Sequence, residues 1–251
     1  MNFGFAKRRE RQLRSLRRIY AEIGEWNRDR EAVPRILTAL NPCADLAIVA
    51  EAIGPKTVRL SGVNYFRADG RLGGTGRYLD KMLLPLGFTV YPSSDVKLAS
   101  GAVIQAALGS QRQTAYCTDL CPEFPGYVSL QRSDKTKASI KRPSLRRVKE
   151  ALKCAFLERE LEVVKPKVIL LLGAAAYTTF YTHFLKRSSL LTLQVVVDDL
   201  GSHLANYKTS VVVPFLHPSP ASPLFLRWFT NFKNAPMKST LVRCIRPQLK
   251  S

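Results

Sequence analysis

Short apolar segments alternate along the chain with segments whose apolar residues recur every three or four positions. We interpret the first kind as buried strands and the second as amphipathic helices. This alternation predicts an α/β fold: a three-layer α/β/α sandwich with a mostly parallel central sheet, preceded by a basic amino-terminal helix. The predicted strands are 45–50, 114–119, 167–172, 191–197 and 209–216, and the predicted helices are 7–24, 75–87, 144–164, 174–185 and 222–233. We expect a basic helical extension, residues 1–40, and an α/β domain, residues 41–251.

Membrane spans and secretory features are not expected. The longest run without a polar side chain, 168–176, has nine residues, and a span needs about 20. The first thirty residues are rich in arginine and contain no apolar stretch, so a secretory signal is not predicted. Five cysteines without a C-x-x-C pair predict neither a disulfide framework nor a zinc site. We therefore expect a reducing compartment: the cytoplasm or nucleoid, or the nucleus or an organelle in a eukaryote.

The charge balance indicates a polyanionic partner. Thirty-nine Lys and Arg residues against nineteen Asp and Glu residues give a formal net charge of +20. This excess increases self-repulsion in the folded protein, and binding a polyanion offsets it. Nucleic acid is the first expectation and an anionic membrane surface the second. The alternative is that the proteins of the source organism are basic in general, in which case the charge indicates no polyanionic partner.

Two segments carry much of this basic charge. The first, residues 7–18, lies on the predicted helix 7–24, which either docks on the domain with a solvated basic face or contacts phosphates. The second, residues 132–149, is predicted to begin as a surface loop and to lead into helix 144–164. A cationic loop before a helix amino terminus suits phosphate binding. The arginines expected to contact DNA there are Arg142, Arg146 and Arg147.

Candidate functional residues lie where the predicted strands end. Ligands of parallel α/β sheets bind at the carboxyl ends of the strands, and here these positions hold Glu51, Asp119, Gly173 and His217. His217 begins the segment H-P-S-P-A-S, in which the prolines stiffen the backbone. A lone histidine before a proline turn is usually structural. The acids at neighbouring strand ends favour a catalytic site instead.

A glycine-rich segment, residues 70–76, precedes the helix predicted at 75–87. It lacks both the Gly-Lys-Ser/Thr ending of a phosphate loop and the G-x-G-x-x-G spacing of a dinucleotide site. We therefore predict neither kind of site. The sequence also lacks the G-x-S-x-G element of serine hydrolases.

Several segments, in order, resemble the uracil-DNA glycosylase superfamily. H-P-S-P-A-S (217–222) is similar to its H-P-S-P-[LR] motif, and IVAEAIG (48–54) is similar to the G-E-A-P-G motif of its thermophile-type branches. The remaining matches are SGVNY (61–65) with T-G-R-P-F, GRYLD (76–80) with G-x-L-L-D, YCTDLCP (116–122) with Y-x-T-N, and KPKVILLLG (165–173) with P-x-V-I-x-x-L-G. The resemblance covers residues 44 to about 233.

The resemblance implies a monofunctional DNA glycosylase that removes a deaminated base, most simply uracil, and so initiates base excision repair. His217 would stabilise the departing base and Glu51 would position the attacking water, with Asp69 in reserve. The residues implied to bind the base are Ala52, Gly54, Tyr65, Phe66 and Asp119, and those implied to bind DNA, besides the arginines above, are Ser219, Pro220 and Leu224. The implied partner is single- or double-stranded DNA, with no membrane. The alternative is a protein of this fold that binds DNA or RNA without excising a base.

Three positions depart from the family pattern: Ala50, Ile53 and Asp119. The family has asparagine at the position of Asp119, and its amide both donates to uracil O4 and accepts from N3–H. An ionised aspartate only accepts, and it would suit an exocyclic amine such as cytosine N4–H. Burial should raise the pKa of Asp119, and the protonated carboxyl would again offer one donor and one acceptor. We expect the protonated form and leave the ionised form open.

The thermophile-type branches also hold a [4Fe–4S] cluster on four cysteines. Here the amino-terminal C-x-x-C is missing, and the candidate ligands would be Cys43, Cys117, Cys121 and Cys154. We interpret these cysteines as buried structural thiols. No metal, cluster or other cofactor is predicted.

Overall fold

The computed structural model describes residues 3–27, 35–52, 61–106, 112–122, 127–130, 137–140, 143–188, 190–219, 225–226 and 236–250. Its strands are β1 (Leu46–Ala52), β2 (Phe88–Thr89), β3 (Val96–Lys97), β4 (Val103–Ile104), β5 (Gln113–Thr114), β6 (Tyr116–Cys121), β7 (Tyr127–Leu130), β8 (Lys137–Ile140), β9 (Val168–Leu172), β10 (Ala205–Tyr207) and β11 (Ser210–Phe215). Its α-helices are α1 (Phe3–Trp26), α2 (Gly74–Leu83), α3 (Leu145–Lys153), α4 (Phe156–Val164), α5 (Ala174–His183), α6 (Leu193–Asp198) and α7 (Pro236–Lys250).

Five strands form the central sheet in the order β10-β11-β9-β1-β6. β1 pairs in parallel with β6 and β9, and β9 pairs in parallel with β11. Only β10 runs antiparallel, as the edge partner of β11. Helices flank this mostly parallel sheet, which confirms the predicted α/β architecture.

The middle of the sheet is buried because its strands are apolar throughout rather than alternating. Every residue of β9 is buried, and in β1 the four residues from Leu46 to Val49 have no exposed surface. Strands of this composition are typical of parallel sheets that helices cover on both faces.

Helix α1 packs on the domain through its apolar face. Leu16, Ile19 and Ile23 belong to the main hydrophobic core, at the predicted spacing of three and four. On the same helix, the Gln12 side chain donates to the Val163 carbonyl at 2.7 Å, and Glu22 forms an ion pair with Arg159 at 2.5 Å. The basic residues on the other face remain exposed. The predicted helix is confirmed and is longer than expected at both ends.

The strand predicted at 191–197 is wrong. Residues 193–198 form helix α6, in which Leu193, Val196 and Val197 are buried at helical spacing. Gln194 also donates to the Asp198 carboxylate at 2.9 Å, a pair four residues apart that stabilises a helix. The run of β-branched valines suggested a strand, but burial on one helical face outweighs that preference.

Other boundaries also differ from the predictions. The helix expected over 144–164 is two helices, because Ala155 adopts a left-handed conformation with φ 52° between α3 and α4. The loop expected from 132 includes a strand instead: β7 and β8 form an antiparallel pair. Helix α7 was not predicted. The helix expected at 222–233 lies outside the described residues except for the helical pair 225–226.

Among the described helices, none combines the length and the apolar character that crossing a membrane requires.

Candidate functional site

The carboxyl ends of four parallel strands meet at one edge of the sheet. Glu51 is the penultimate residue of β1, Asp119 lies in the second half of β6, Gly173 follows β9, and His217 is two residues beyond β11. Neighbouring strands lie about 4.8 Å apart, so β11 and β1, two positions apart, are separated by about 10 Å. The sheet therefore brings the predicted catalytic pair Glu51 and His217 to the same edge as Asp119.

The His217 loop is held against the start of helix α5. Gly173 has a positive φ of 94°, and its N–H donates to the Phe215 carbonyl at 2.8 Å. A Cβ added to Gly173 would lie 3.2 Å from the Cβ of His217. After the histidine, the Ser219 N–H donates to the His217 carbonyl at 2.8 Å. The backbone of His217 is thus fixed while its side chain is exposed at the edge of the sheet.

Asp119 is buried and forms an ion pair with Arg35. The Nη2 atom of Arg35 lies 3.1 Å from Oδ2 of Asp119, and the two side chains are only 7% and 5% exposed. Arg35 also donates through Nη1 to the side-chain oxygen of Asn64. Burial raises the pKa of Asp119 to about 6, while the Arg35 cation opposes the rise. The direction expected from the sequence is confirmed.

A second buried acid lies on the other face of β6. Glu160 of α4 accepts hydrogen bonds at Oε2 from Thr118 at 2.6 Å, Tyr116 at 2.7 Å and Tyr20 at 3.1 Å. Burial raises the pKa of Glu160, while the hydrogen bonds from Thr118 and Tyr116 oppose this rise. The cluster ties α1 and α4 to the strand that carries Asp119.

The two predicted aromatic residues have different environments. Tyr65 has a positive φ of 69°, and within the described part of the chain its buried hydroxyl has no hydrogen-bond partner. Burial raises the pKa of Tyr65 well above its usual range, and the negative charge of Asp119 adds to this. Phe66 is fully buried in a second hydrophobic cluster, where its ring meets Tyr91 edge-on at 5.3 Å. Of the two rings, that of Tyr65 lies toward Asp119, whereas Phe66 packs elsewhere.

The predicted DNA-binding arginines are partly engaged within the protein. Arg146 is exposed and forms an ion pair with Glu150 at 2.8 Å. The guanidinium carbon of Arg147 lies 3.6 Å from the centroid of the Trp26 ring, and Arg147 also forms an ion pair with Glu150 at 3.1 Å. Arg147 thereby joins α3 to the end of α1.

Some predicted site residues have no described side chain. Ala52 is the last residue of β1, at the same edge as Glu51. Gly54, Arg142, Pro220 and Leu224 lie outside the described residues. Asp69, the reserve acid, is away from the strand ends and pairs with Arg67 at 3.4 Å.

The cysteines do not fit a [4Fe–4S] cluster. Cys117 and Cys121 are four residues apart in one strand, a separation of about 13 Å. Cys43 donates to the Gln12 side chain at 2.9 Å. Cys154 is exposed at the end of α3, so the prediction of buried thiols is wrong for this residue. Among the described residues, no group of three or more His, Cys, Asp or Glu side chains could hold a metal ion.

Arg35, Asn64 and Glu160 were missed by the sequence argument. Glu160 gave a signal, because it interrupts the apolar helical series of Phe156 and Val164, four residues to either side. An acid at such a core position needs buried hydrogen-bond donors. Nothing in the sequence around Arg35 indicates its partner 84 residues away.

Comparison with protein families shows which family the chain matches. A family model described as the uracil DNA glycosylase superfamily matches residues 38–243. The matched range includes Glu51, Asn64, Asp119 and His217, and it begins after α1 and Arg35. A comparison with curated proteins finds no match.

Proposed function

Because the chain belongs to the uracil DNA glycosylase superfamily, we propose that it is a monofunctional DNA N-glycosylase that excises uracil and thereby initiates base excision repair. The observation that supports this proposal is the pairing of the parallel strands, which puts the strand ends that carry Glu51, Asp119 and His217 at one edge of the sheet. A base stacked in DNA cannot reach such an edge, so the nucleotide must first be flipped out.

The reaction replaces the bond between the sugar C1′ and the base N1 with a bond from C1′ to a water oxygen. The electron pair of the broken bond leaves with uracil, and negative charge develops on its O2 oxygen. His217, fixed by its contact with Gly173, donates a hydrogen bond to that oxygen. Glu51 orients the water and accepts its proton. The uracil anion is then protonated by solvent.

Asp119 and Arg35 recognise uracil together. An ionised Asp119 accepts the hydrogen bond from N3–H, and a guanidinium N–H of Arg35 donates to O4. The 3.1 Å ion pair supports this assignment, because it places a donor beside the carboxylate. From the sequence alone no such donor was expected, and the protonated carboxyl was therefore favoured over the ionised form. Asn64 holds the guanidinium in place from its other side.

Tyr65 supplies the aromatic surface for the extruded base. Its backbone position is fixed by Gly76, where an added Cβ would come within 2.8 Å of the Tyr65 Cβ.

The decisive experiment uses a labelled oligonucleotide that contains uracil, treated with alkali after incubation to cleave abasic sites. Cleavage by the wild type and its loss in His217→Ala and Glu51→Gln support the enzyme. His183→Ala is the matched control, because His183 is the last residue of α5, at the opposite end of that helix from Gly173. Binding of the oligonucleotide without any abasic product would instead indicate a protein of this fold that has lost base excision.

A further inference from the structure

A cavity of about 520 Å³ lies beside the turn that leads into helix α2. We call it the arginine recess and define it by Arg67, Arg71, Arg77, Tyr91 and Gln105, which line it. Its volume falls within the range of small-ligand sites, roughly 300–1,000 Å³. None of these residues belongs to the site described above.

The arginine recess is strongly cationic. Its one lining acid, Asp69, pairs with Arg67 at 3.4 Å, but the side chains are 60% and 43% exposed. Solvent screens such a pair, so an incoming anion can replace it at little cost. Within the described part of the chain, the side chains of Arg71 and Arg77 have no ion pair or hydrogen bond, and both residues are exposed.

The backbone that carries two of these arginines is rigid. Residues 66–72 form a hairpin in which the Arg67 N–H donates to the Arg71 carbonyl at 2.9 Å. Gly70 closes the turn with a φ of +75°, and an added Cβ would lie 2.8 Å from the Val103 carbonyl oxygen. The Asp69 side chain accepts from the Arg71 N–H at 3.1 Å. The guanidinium groups therefore extend from a preformed turn packed on β4.

The arginine recess is lined by residues that follow Tyr65 closely in the chain. Arg67 follows Tyr65 by two residues, so their backbones lie within about 7 Å. The Gly73 N–H also donates to the Tyr65 carbonyl at 2.8 Å, which ties the far side of the hairpin to the same residue. A nucleotide whose base contacts Tyr65 thus has its neighbours in the strand at the mouth of the arginine recess.

We propose, on the basis of the proposed function, that the arginine recess binds a backbone phosphate of the substrate strand within two nucleotides of the extruded uracil. Guanidinium groups bind phosphate oxygens in pairs of parallel hydrogen bonds, and Arg71 and Arg77 have donors to offer. Tyr91 and Gln105 line the wall available to the attached sugar. Arg71 of the glycine-rich segment and the adjoining Arg77 thereby bind phosphate through their side chains, without a phosphate-binding backbone loop.

The test compares Arg71→Gln/Arg77→Gln with the wild type in binding an oligonucleotide at several salt concentrations. The expected result is a loss of affinity of roughly tenfold and a salt slope smaller by about 0.9, the value for one phosphate. Lys165→Asn/Lys186→Asn is the matched control. It also removes two exposed cations, and asparagine tolerates their φ values of 53° and 54°. Lys165 precedes β9 and Lys186 follows α5, so each lies at the end of its element away from Gly173.

A scan with methylphosphonate linkages, which remove one phosphate charge at a time, locates the contact. At one linkage near the uracil, the methylphosphonate should weaken DNA binding by the wild type. The same linkage should not weaken DNA binding by Arg71→Gln/Arg77→Gln any further. Arg71→Lys/Arg77→Lys should retain the salt slope, which shows that charge rather than folding is responsible.

The proposal is overturned if the double glutamine variant binds DNA like the control variant. It is also overturned if deoxyadenosine monophosphate binds the wild type and not the variant while DNA affinity is unchanged, because the arginine recess would then serve a free nucleotide. DNA binding is measured separately from uracil excision. If the protein binds DNA but excises no uracil, the proposed function fails while the test of phosphate binding remains valid.

Discussion

Replacing Arg35 with methionine should invert the pH dependence of uracil excision. The substitution keeps an unbranched, flexible side chain at this buried position but removes the cation that lies 3.1 Å from Asp119. In the wild type the carboxyl titrates with a pKa of about 6. Above that pH it is ionised and forms the pair with Arg35, so excision should rise as the pH increases through 6.

The size of the change follows from the environment of Asp119. An adjacent arginine lowers the pKa of an aspartate by about 1–3 units, so in Arg35→Met the pKa of Asp119 should lie at roughly 7–9. The carboxyl is then neutral at lower pH and offers one donor and one acceptor, as an amide does. Excision by Arg35→Met should therefore fall as the pH increases through this range.

Stability gives a second measurement of the same titration. The pKa of Asp119 is higher in the folded protein, about 6, than its ordinary value of 3.8. The folded state thus holds the proton more tightly, and stability is lost as the pH rises from 3.8 to 6. The loss from this group is about 3 kcal/mol in the wild type, and in Arg35→Met it should continue to higher pH.

The assay is single-turnover excision from a uracil oligonucleotide between about pH 4.5 and 9.5, a range that spans the wild-type pKa of about 6 and the value of roughly 7–9 expected for Arg35→Met. Arg112→Met is the matched control, since Arg112 forms a comparable ion pair with Asp80 at 3.2 Å. Wild-type excision that falls through pH 6 would refute recognition by the ionised pair and favour the protonated carboxyl. An unchanged profile in Arg35→Met would show that Asp119 does not contact the base.

The remaining predictions concern other parts of the structure. Gly173→Ala should abolish excision, measured by single-turnover kinetics, because the added Cβ would crowd His217. Gly87→Ala is the control, since Gly87 also has a positive φ, +80°, but has open space around it. It should lower the free energy of unfolding by about 1 kcal/mol, measured by thermal unfolding, and leave excision intact. Glu160→Ala removes a buried acceptor of three hydrogen bonds, although the Tyr20 and Tyr116 hydroxyls still contact each other at 3.2 Å. It should lower the free energy of unfolding by roughly 3 kcal/mol, measured by urea titration. Neutralising the basic face of α1 should reduce the salt slope of DNA binding by up to about 0.9 per phosphate contacted; an unchanged slope would assign that face another role. The exposed residues to replace with glutamine are Arg14, Arg17 and Arg18.

The central sheet was predictable because its strands are short, apolar and separated by helices. Burial on both faces leaves β9 no polar residue, and this signal is visible without any tertiary information. The strand prediction for the segment 193–198 was wrong for the opposite reason. Its valines suit a strand locally, and only the packing of Leu193, Val196 and Val197 against the core selects the helix.

The strand-end residues were predictable for a topological reason. Parallel strands place their carboxyl ends at one edge, so four positions far apart in sequence could be grouped before any coordinates were known. The residues that contact Asp119 from other segments were not predictable in the same way. Asn64 and Arg35 contact Asp119 through the folding of distant segments, and a hydrogen bond between residues 84 apart leaves no periodic trace.

We attribute the aspartate at position 119, where the family has asparagine, to Arg35, a residue outside the family match. The matched range begins at residue 38, so the pattern that places asparagine at this position carries no information about Arg35. A buried carboxylate without a nearby cation would be forced into its neutral form. In the recognition that we propose, the Asp119 carboxylate supplies the acceptor and the Arg35 guanidinium supplies the donor that one asparagine amide would supply alone. Replacing Asp119 with the family's asparagine would therefore leave Arg35 buried without its charged partner, a change that typically costs about 3–5 kcal/mol. Asp119→Asn should regain excision only when Arg35 is replaced as well, so the two positions must change together.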